Sequence, residues 1–237
     1  MERPIIYTST AAASAGVSAV GSFFRNVYGW MTIGLGLTAI VALFTVSTPA
    51  LMQMIFGNKL VFYGLIIAEF GLVIALSAAI NRLSATAATL MFCVYAALSG
   101  LTFSAIFVVY TQSSIASTFF VTAGTFGAMS LYGLVTRKDL SSWGSFLFMG
   151  LIGVVIASVV NIFMESEAMT WVISCAGVLV FTGLTAYDTH SLKVLAQQGF
   201  AHGEERKKMA IIGALKLYLD FINLFLMLLR LLGGNRD

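Results

Sequence analysis

The chain of 237 residues is 59% hydrophobic and only 10% charged, with a mean hydropathy of +0.95. So little charge excludes a soluble domain of this size, and a net charge of +3 gives no footing for nucleic acid. Cys93 and Cys175 both lie in apolar runs, so they read as buried free thiols and exclude a disulfide framework or a Cys-rich metal site.

Residues 1–25 are rich in Ser, Ala and Thr and read as a flexible cytoplasmic tail. They lack the basic start, apolar core and small-residue cleavage site of a signal peptide, so the first span serves as the insertion signal. Apolar runs then predict seven transmembrane helices at about 26–46, 60–80, 86–110, 114–136, 142–164, 168–190 and 209–232. No dyad alternation suggests a barrel. Pro49, "GNK" at 57–59, "NRLS" at 81–84, "TQSS" at 111–114, "TRKDLSS" at 136–142 and "ESE" at 165–167 mark the boundaries. The longest connection is expected at 193–208. Residues 26–232 thus form one all-α membrane domain, followed by a short tail at 233–237. Small pairs within the spans (Ala96 and Gly100, Ala123 and Gly127, Gly150 and Gly153) suit close helix approach.

Lys and Arg set the expected orientation. With the N-terminus inside, the cytoplasmic segments hold nine (Arg3, Arg25, Arg82, Arg137, Lys138, Lys193, Arg206, Lys207, Lys208) and the outer ones three (Lys59, Arg230, Arg236). This favours seven crossings; a re-entrant last segment, returning the C-terminus inside, is the alternative that Arg230 and Arg236 suggest.

Four ionisable residues stand inside spans: Glu69, Asp188, Lys216 and Asp220. Each centred charge costs roughly 2.5–3.5 kcal/mol on insertion scales. Lys216, Asp220, Asn223 and Met227 follow i, i+4, i+7, i+11 spacing and form one stripe. Such a stripe faces protein or water, so the last span should be enclosed by the others. Asp220 lies roughly 16 Å along that span, and a tilt brings it near Asp188. If the two meet, both cannot comfortably ionise, and they titrate as a unit, a proton-controlled latch. The alternative pairs Asp220 with Lys216 on its own helix and Asp188 with a surface cation. Glu69 either lines the same cavity or is simply hydrogen-bonded in place. Arg82 either snorkels to the surface or reaches the acidic pair. His190, about 200° round the helix from Asp188, reads as a solvated interfacial histidine.

"GLTAYDTHSLK" at 183–193 and "ALKLYLDFINLFLMLLRLLG" at 214–233 resemble the transmembrane Bax inhibitor motif family, also called Bax-inhibitor-one-like. "SLYGLVTRKDLSSWGSFLFMGLIGVVIASVVNIF" at 130–163 is similar to its bacterial members. The resemblance implies six helices around a central seventh, in a bacterial inner membrane. It also implies a Ca²⁺ leak governed by a pH-sensing aspartate pair, matching Asp188 and Asp220, with Arg82 as the nearest candidate for the arginine that locks the pair. Glu69 is similar to a span-two glutamate near the pore, and Lys216 stands out as a departure from the pattern. Asp188 and Asp220 are then the candidate Ca²⁺ ligands, with Glu69, Asn223 and Lys216 along the ion path.

Two functions compete. One is a pH-gated cation leak for Ca²⁺, whose hard oxygen ligands the carboxylates supply, with Ca²⁺ or protons as its ions. The other is a lipid-embedded regulator of a membrane-anchored ATP-dependent protease or other membrane partner. An intramembrane aspartyl protease is disfavoured because Asp220 in "LYLDF" lacks glycine flanks. Neither an enzyme nor a resident cofactor is expected.

Overall fold

The computed structural model describes the backbone of residues 8–234 and the side chains of 18–234. Within them the chain forms α1 (Thr8–Val46), α2 (Pro49–Phe56), α3 (Lys59–Ala79), α4 (Ala85–Phe103), α5 (Ile106–Val109), α6 (Gln112–Val135), α7 (Ser141–Met164), α8 (Glu167–Gln198) and α9 (Gly203–Leu232). Seven stretches are long and apolar enough to cross a bilayer: those of α1, α3, α4 with α5, α6, α7, α8 and α9. Inside lipid the backbone must satisfy its own polar groups, and an uninterrupted helix does so residue by residue. The chain is an all-α integral membrane protein.

The boundary motifs work as caps. Asn58 accepts from the Leu60 N–H, Ser84 from Ala87, Thr111 from Ser114 and Ser166 from Met169. Each satisfies one of the orphan donors at a helix start. Pro49 opens α2 at a position where its missing N–H costs nothing.

Several expectations are corrected. The segment expected as a tail to residue 25 is helical from Thr8, and Phe23 and Phe24 are buried in the core; residues 1–7 lie outside the described ones. Hydropathy marks where the membrane ends, not where the helix ends, and Ala- and Ser-rich sequence carries α1 on. The same reason shortens the expected 193–208 loop to residues 199–202, since "KVLAQQ" and "GEERKK" are helix formers. Gly199 makes the break with φ +81°, a conformation that side-chained residues resist. The third span is not continuous: α4 stops at Phe103, where the Ser104 hydroxyl donates back to the Leu101 carbonyl, and α5 resumes after a bend. Of the small pairs, Gly100 sits against α1, where a Cβ would come within 2.7 Å of the Thr38 carbonyl oxygen, whereas Gly127 and Gly153 face open space.

α9 is the central helix. In its most apolar stretch 67% of residues are buried, against 6% in α3. It packs against α1, α4, α6 and α8, while α3 is carried on α4 and α7 on α8. The ring of six is therefore four helices on the axis and two outriggers. The outer faces are apolar, with Phe70, Phe163 and Leu179 among the exposed side chains, as lipid contact requires. α9 runs unbroken to Leu232, and the Gly234 N–H donates to Ser114 at the start of α6. An unbroken helix of this length and hydropathy fits a full crossing and not a re-entrant turn.

Candidate functional site

The polar stripe of α9 lies against α8. Lys216 Nζ donates to Asp188 Oδ1 at 3.4 Å. Eleven residues further along each helix, Met227 fills the space left by Gly177, where a Cβ would come within 2.7 Å of its Cγ. Both contacts fit one antiparallel register, which sets Asp220 level with Leu184, one turn (about 6 Å) beyond Asp188 toward the far side.

Asp220 is enclosed, at 5% exposure, and its Oδ2 has no hydrogen-bond partner. The charged groups that act on it are Asp188 and Lys216. No hydrogen bond joins the two carboxylates among the described residues. The intrahelical Lys216–Asp220 pair is not formed either, because Lys216 reaches across to α8. Its side chain is 46% exposed while that of Asp188 is 14% exposed, so the cluster runs from a wet edge to a dry interior oxygen. With both carboxylates ionised and Lys216 protonated, it carries one net negative charge.

The remaining expected site residues divide. Asn223 spends its amide on the Leu219 carbonyl of its own helix, at 2.8 Å. Arg82 is exposed at the α3–α4 turn, with no ion pair among the described residues. That turn is tied down instead by Glu204, which accepts from the Ala85 N–H, and by Lys208, which donates to the Asn81 carbonyl. Among the described residues the cation that pairs with Asp188 is Lys216, not Arg82. His190 is buried rather than solvated, because α8 continues past it and Gly133 of α6 lets the backbones close on it.

Glu69 belongs to a second polar centre, on the opposite face of α9. Its Oε1 accepts from Thr102 at 2.9 Å and its Oε2 from Ser99 at 3.4 Å. Next to it Tyr218, fully buried, bonds to the Thr38 hydroxyl at 2.7 Å, and Thr38 in turn donates to the Ala96 carbonyl at 2.8 Å. Phe92 and Tyr95 close edge-on around the Tyr218 ring. A third chain links Tyr28, Ser130 and Thr189 across α1, α6 and α8. None of these hydroxyl partners was singled out by the sequence reading. Ser99 and Thr102, at i and i+3 inside an apolar helix, were the signal available.

Among the described residues no three His, Cys, Asp or Glu come together as metal ligands. Two carboxylates fall short of the six to eight oxygens of a resident Ca²⁺, though they suit a cation that keeps most of its water.

Comparison with known proteins agrees on the family. A family described as "Inhibitor of apoptosis-promoting Bax1" matches residues 20–237. Inner membrane protein YbhL of Escherichia coli K12 is 55% identical over 216 residues, covering 91% of this chain and 92% of that protein. A protein of Borreliella burgdorferi is 47% identical over 91% of this chain and 93% of its own length. A membrane protein of Streptococcus pyogenes serotype M3 is 37% identical over 99% of this chain and all of its own. With its seven apolar helices, the chain is an integral protein of a bacterial inner membrane. A match of this extent, on a fold whose central helix carries the expected polar stripe, shows that the chain belongs to the Bax inhibitor-1 family.

Proposed function

We propose that the chain is a cation leak, with Ca²⁺ as its ion, whose conductance is set by the charge state of the Asp188–Lys216–Asp220 cluster. The observation that carries this reading is the open oxygen of Asp220, buried at the centre of the bundle without a partner. Leaving such a group unpaired costs about 1–3 kcal/mol, and more when charged. A proton or a passing cation satisfies it. Lys216 holds Asp188 and repels a cation, so the closed arrangement is the one with the ion pair intact. Releasing Lys216 toward its exposed side frees two carboxylates one turn apart. The N-terminus lies in the cytoplasm in this reading, on the strength of the nine-to-three division of basic residues. No bond-making chemistry and no resident cofactor is assigned.

The test is calcium-dye flux in proteoliposomes across about pH 5–8, because coupled carboxylates titrate as a unit and a change in their charge alters flux. Flux that varies with pH in the wild type and becomes flat in Asp220→Asn supports the reading. No flux above empty liposomes at any pH defeats it. The regulation of a membrane-anchored protease is the alternative; Arg25 of α1 and Arg206 of α9, on the basic face, give a partner a surface to hold.

A further inference from the structure

A groove opens sideways between α1 and α6, about 450 Å³ in volume. Small or short residues make the space, namely Thr32, Gly36 and Ala39 on α1 and Ala123 on α6. Phe126 and Phe221 form its wall, the second belonging to the buried face of α9 and held edge-on by the first at 5.5 Å. Thr32, Gly36 and Ala39 are exposed, so the opening faces the hydrocarbon of the bilayer. From Tyr28 to Ala39 the groove follows eleven residues of α1, about 16 Å. One leaflet of a ~30 Å hydrocarbon core has chains of about that depth.

One turn before Tyr28 the same helix presents Arg25 to a second cavity, about 830 Å³ and open at the basic end of the bundle. Arg206 of α9 enters it from the other side, with Nη1 donating to Ser22 Oγ at 3.4 Å. Residues three apart on a helix lie on one face, so Arg25 stands one turn beyond the Tyr28 end of the apolar groove. A cationic pocket at headgroup level, one helical turn from an apolar groove one leaflet deep, has the charge and shape of a single lipid. We propose that this is a binding site for an anionic phospholipid, its phosphate held by Arg25 and Arg206 and one acyl chain laid between α1 and α6 against Phe221. The site is separate from the Asp188–Lys216–Asp220 cluster, and its occupancy stands or falls independently of ion flux.

The experiment uses the full chain, purified and delipidated in mild detergent, and offered dioleoylphosphatidylglycerol or dioleoylphosphatidylcholine. Retained lipid is read by native mass spectrometry, with thermal unfolding and helical circular dichroism in parallel. The wild type retains the anionic lipid at least ten-fold better and melts later in its presence. Arg25→Gln lowers that preference about five-fold while leaving the neutral lipid unaffected. Gly36→Leu, where an added Cβ meets nothing within 4 Å, fills the groove and lowers retention of both lipids without loss of helicity. Ala39→Leu repeats that test one turn along. Millimolar inorganic phosphate leaves the bound lipid in place. Equal retention of the two lipids by the wild type overturns the proposal, as does an unchanged preference in the Arg25→Gln, Arg206→Gln double variant. Full retention in both groove-filling variants, or displacement by phosphate alone, overturns it equally, the latter because it makes the cavity a site for free anions.

Discussion

Tyr218 and Asp220 are two residues apart on the central helix, so they point about 200° apart at nearly the same depth. On the Tyr218 side, toward α1 and α4, the hydroxyls of Thr38, Ser99 and Thr102 meet the tyrosine and both oxygens of Glu69. On the Asp220 side, toward α8, there is one ion pair and one carboxylate oxygen with no partner. On the first face each oxygen of Glu69 accepts a hydrogen bond from a neighbouring hydroxyl. The second holds an excess of acceptors over donors. Buried polar groups that are fully satisfied fix one arrangement of the helices, whereas an unsatisfied carboxylate waits for a proton or an ion. The two faces of one helix thus separate a hydrogen-bonded centre from one with an open acceptor, the face on which the proposed leak rests.

The largest expected effect is on the satisfied face. Tyr218→Ala removes a fully buried ring and its hydroxyl, and should cost about 3–5 kcal/mol in an SDS-unfolding titration. A cost under about 1 kcal/mol would mean that this face is not what holds α9 to α1 and α4.

Next comes Lys216→Met, which leaves Asp188 unpaired. Because the Lys216 side chain is half exposed, the expected cost is only about 1–2 kcal/mol, between surface and buried ion pairs. In liposomes the same variant should raise calcium flux and shift its pH dependence. Unaltered flux would separate the ion pair from gating.

Thr102→Ala tests whether Glu69 depends on its hydroxyl partners. Leaving Oε1 without its 2.9 Å donor should cost about 1 kcal/mol and leave the pH profile of flux unmoved. A changed profile would transfer Glu69 to the functional side of the comparison.

Asp220→Leu carries the smallest loss of stability and the sharpest contrast. Exchanging an unpartnered buried carboxylate for an apolar side chain removes its cost of about 1–3 kcal/mol, so unfolding should be unchanged or harder, not easier. Flux should nevertheless lose its pH dependence. A variant that instead unfolds readily would show that Asp220 has a structural partner, and the distinction between the faces would fall.

The seven apolar spans, their approximate boundaries and the enclosure of the last helix were legible in the residues alone. A bilayer admits backbone only as long apolar helices, Asn58, Ser84, Thr111 and Ser166 announce where those begin, and a stripe containing Lys216 and Asp220 cannot face lipid. What the stripe touches was not legible. The choice of Asp188 over Asp220 as the partner of Lys216 depends on the sliding register of α8 against α9, set by contacts such as Met227 in the space left by Gly177. The Tyr218 network joins residues as far apart as Thr38 and Tyr218, 180 positions along the chain. The groove between α1 and α6 exists because both helices pack on α8 and α9 while small residues hold no space between them. Burial cost is a property of each residue and can be read along the chain; partnership is a property of how helices slide and tilt against one another, and only the packed bundle decides it.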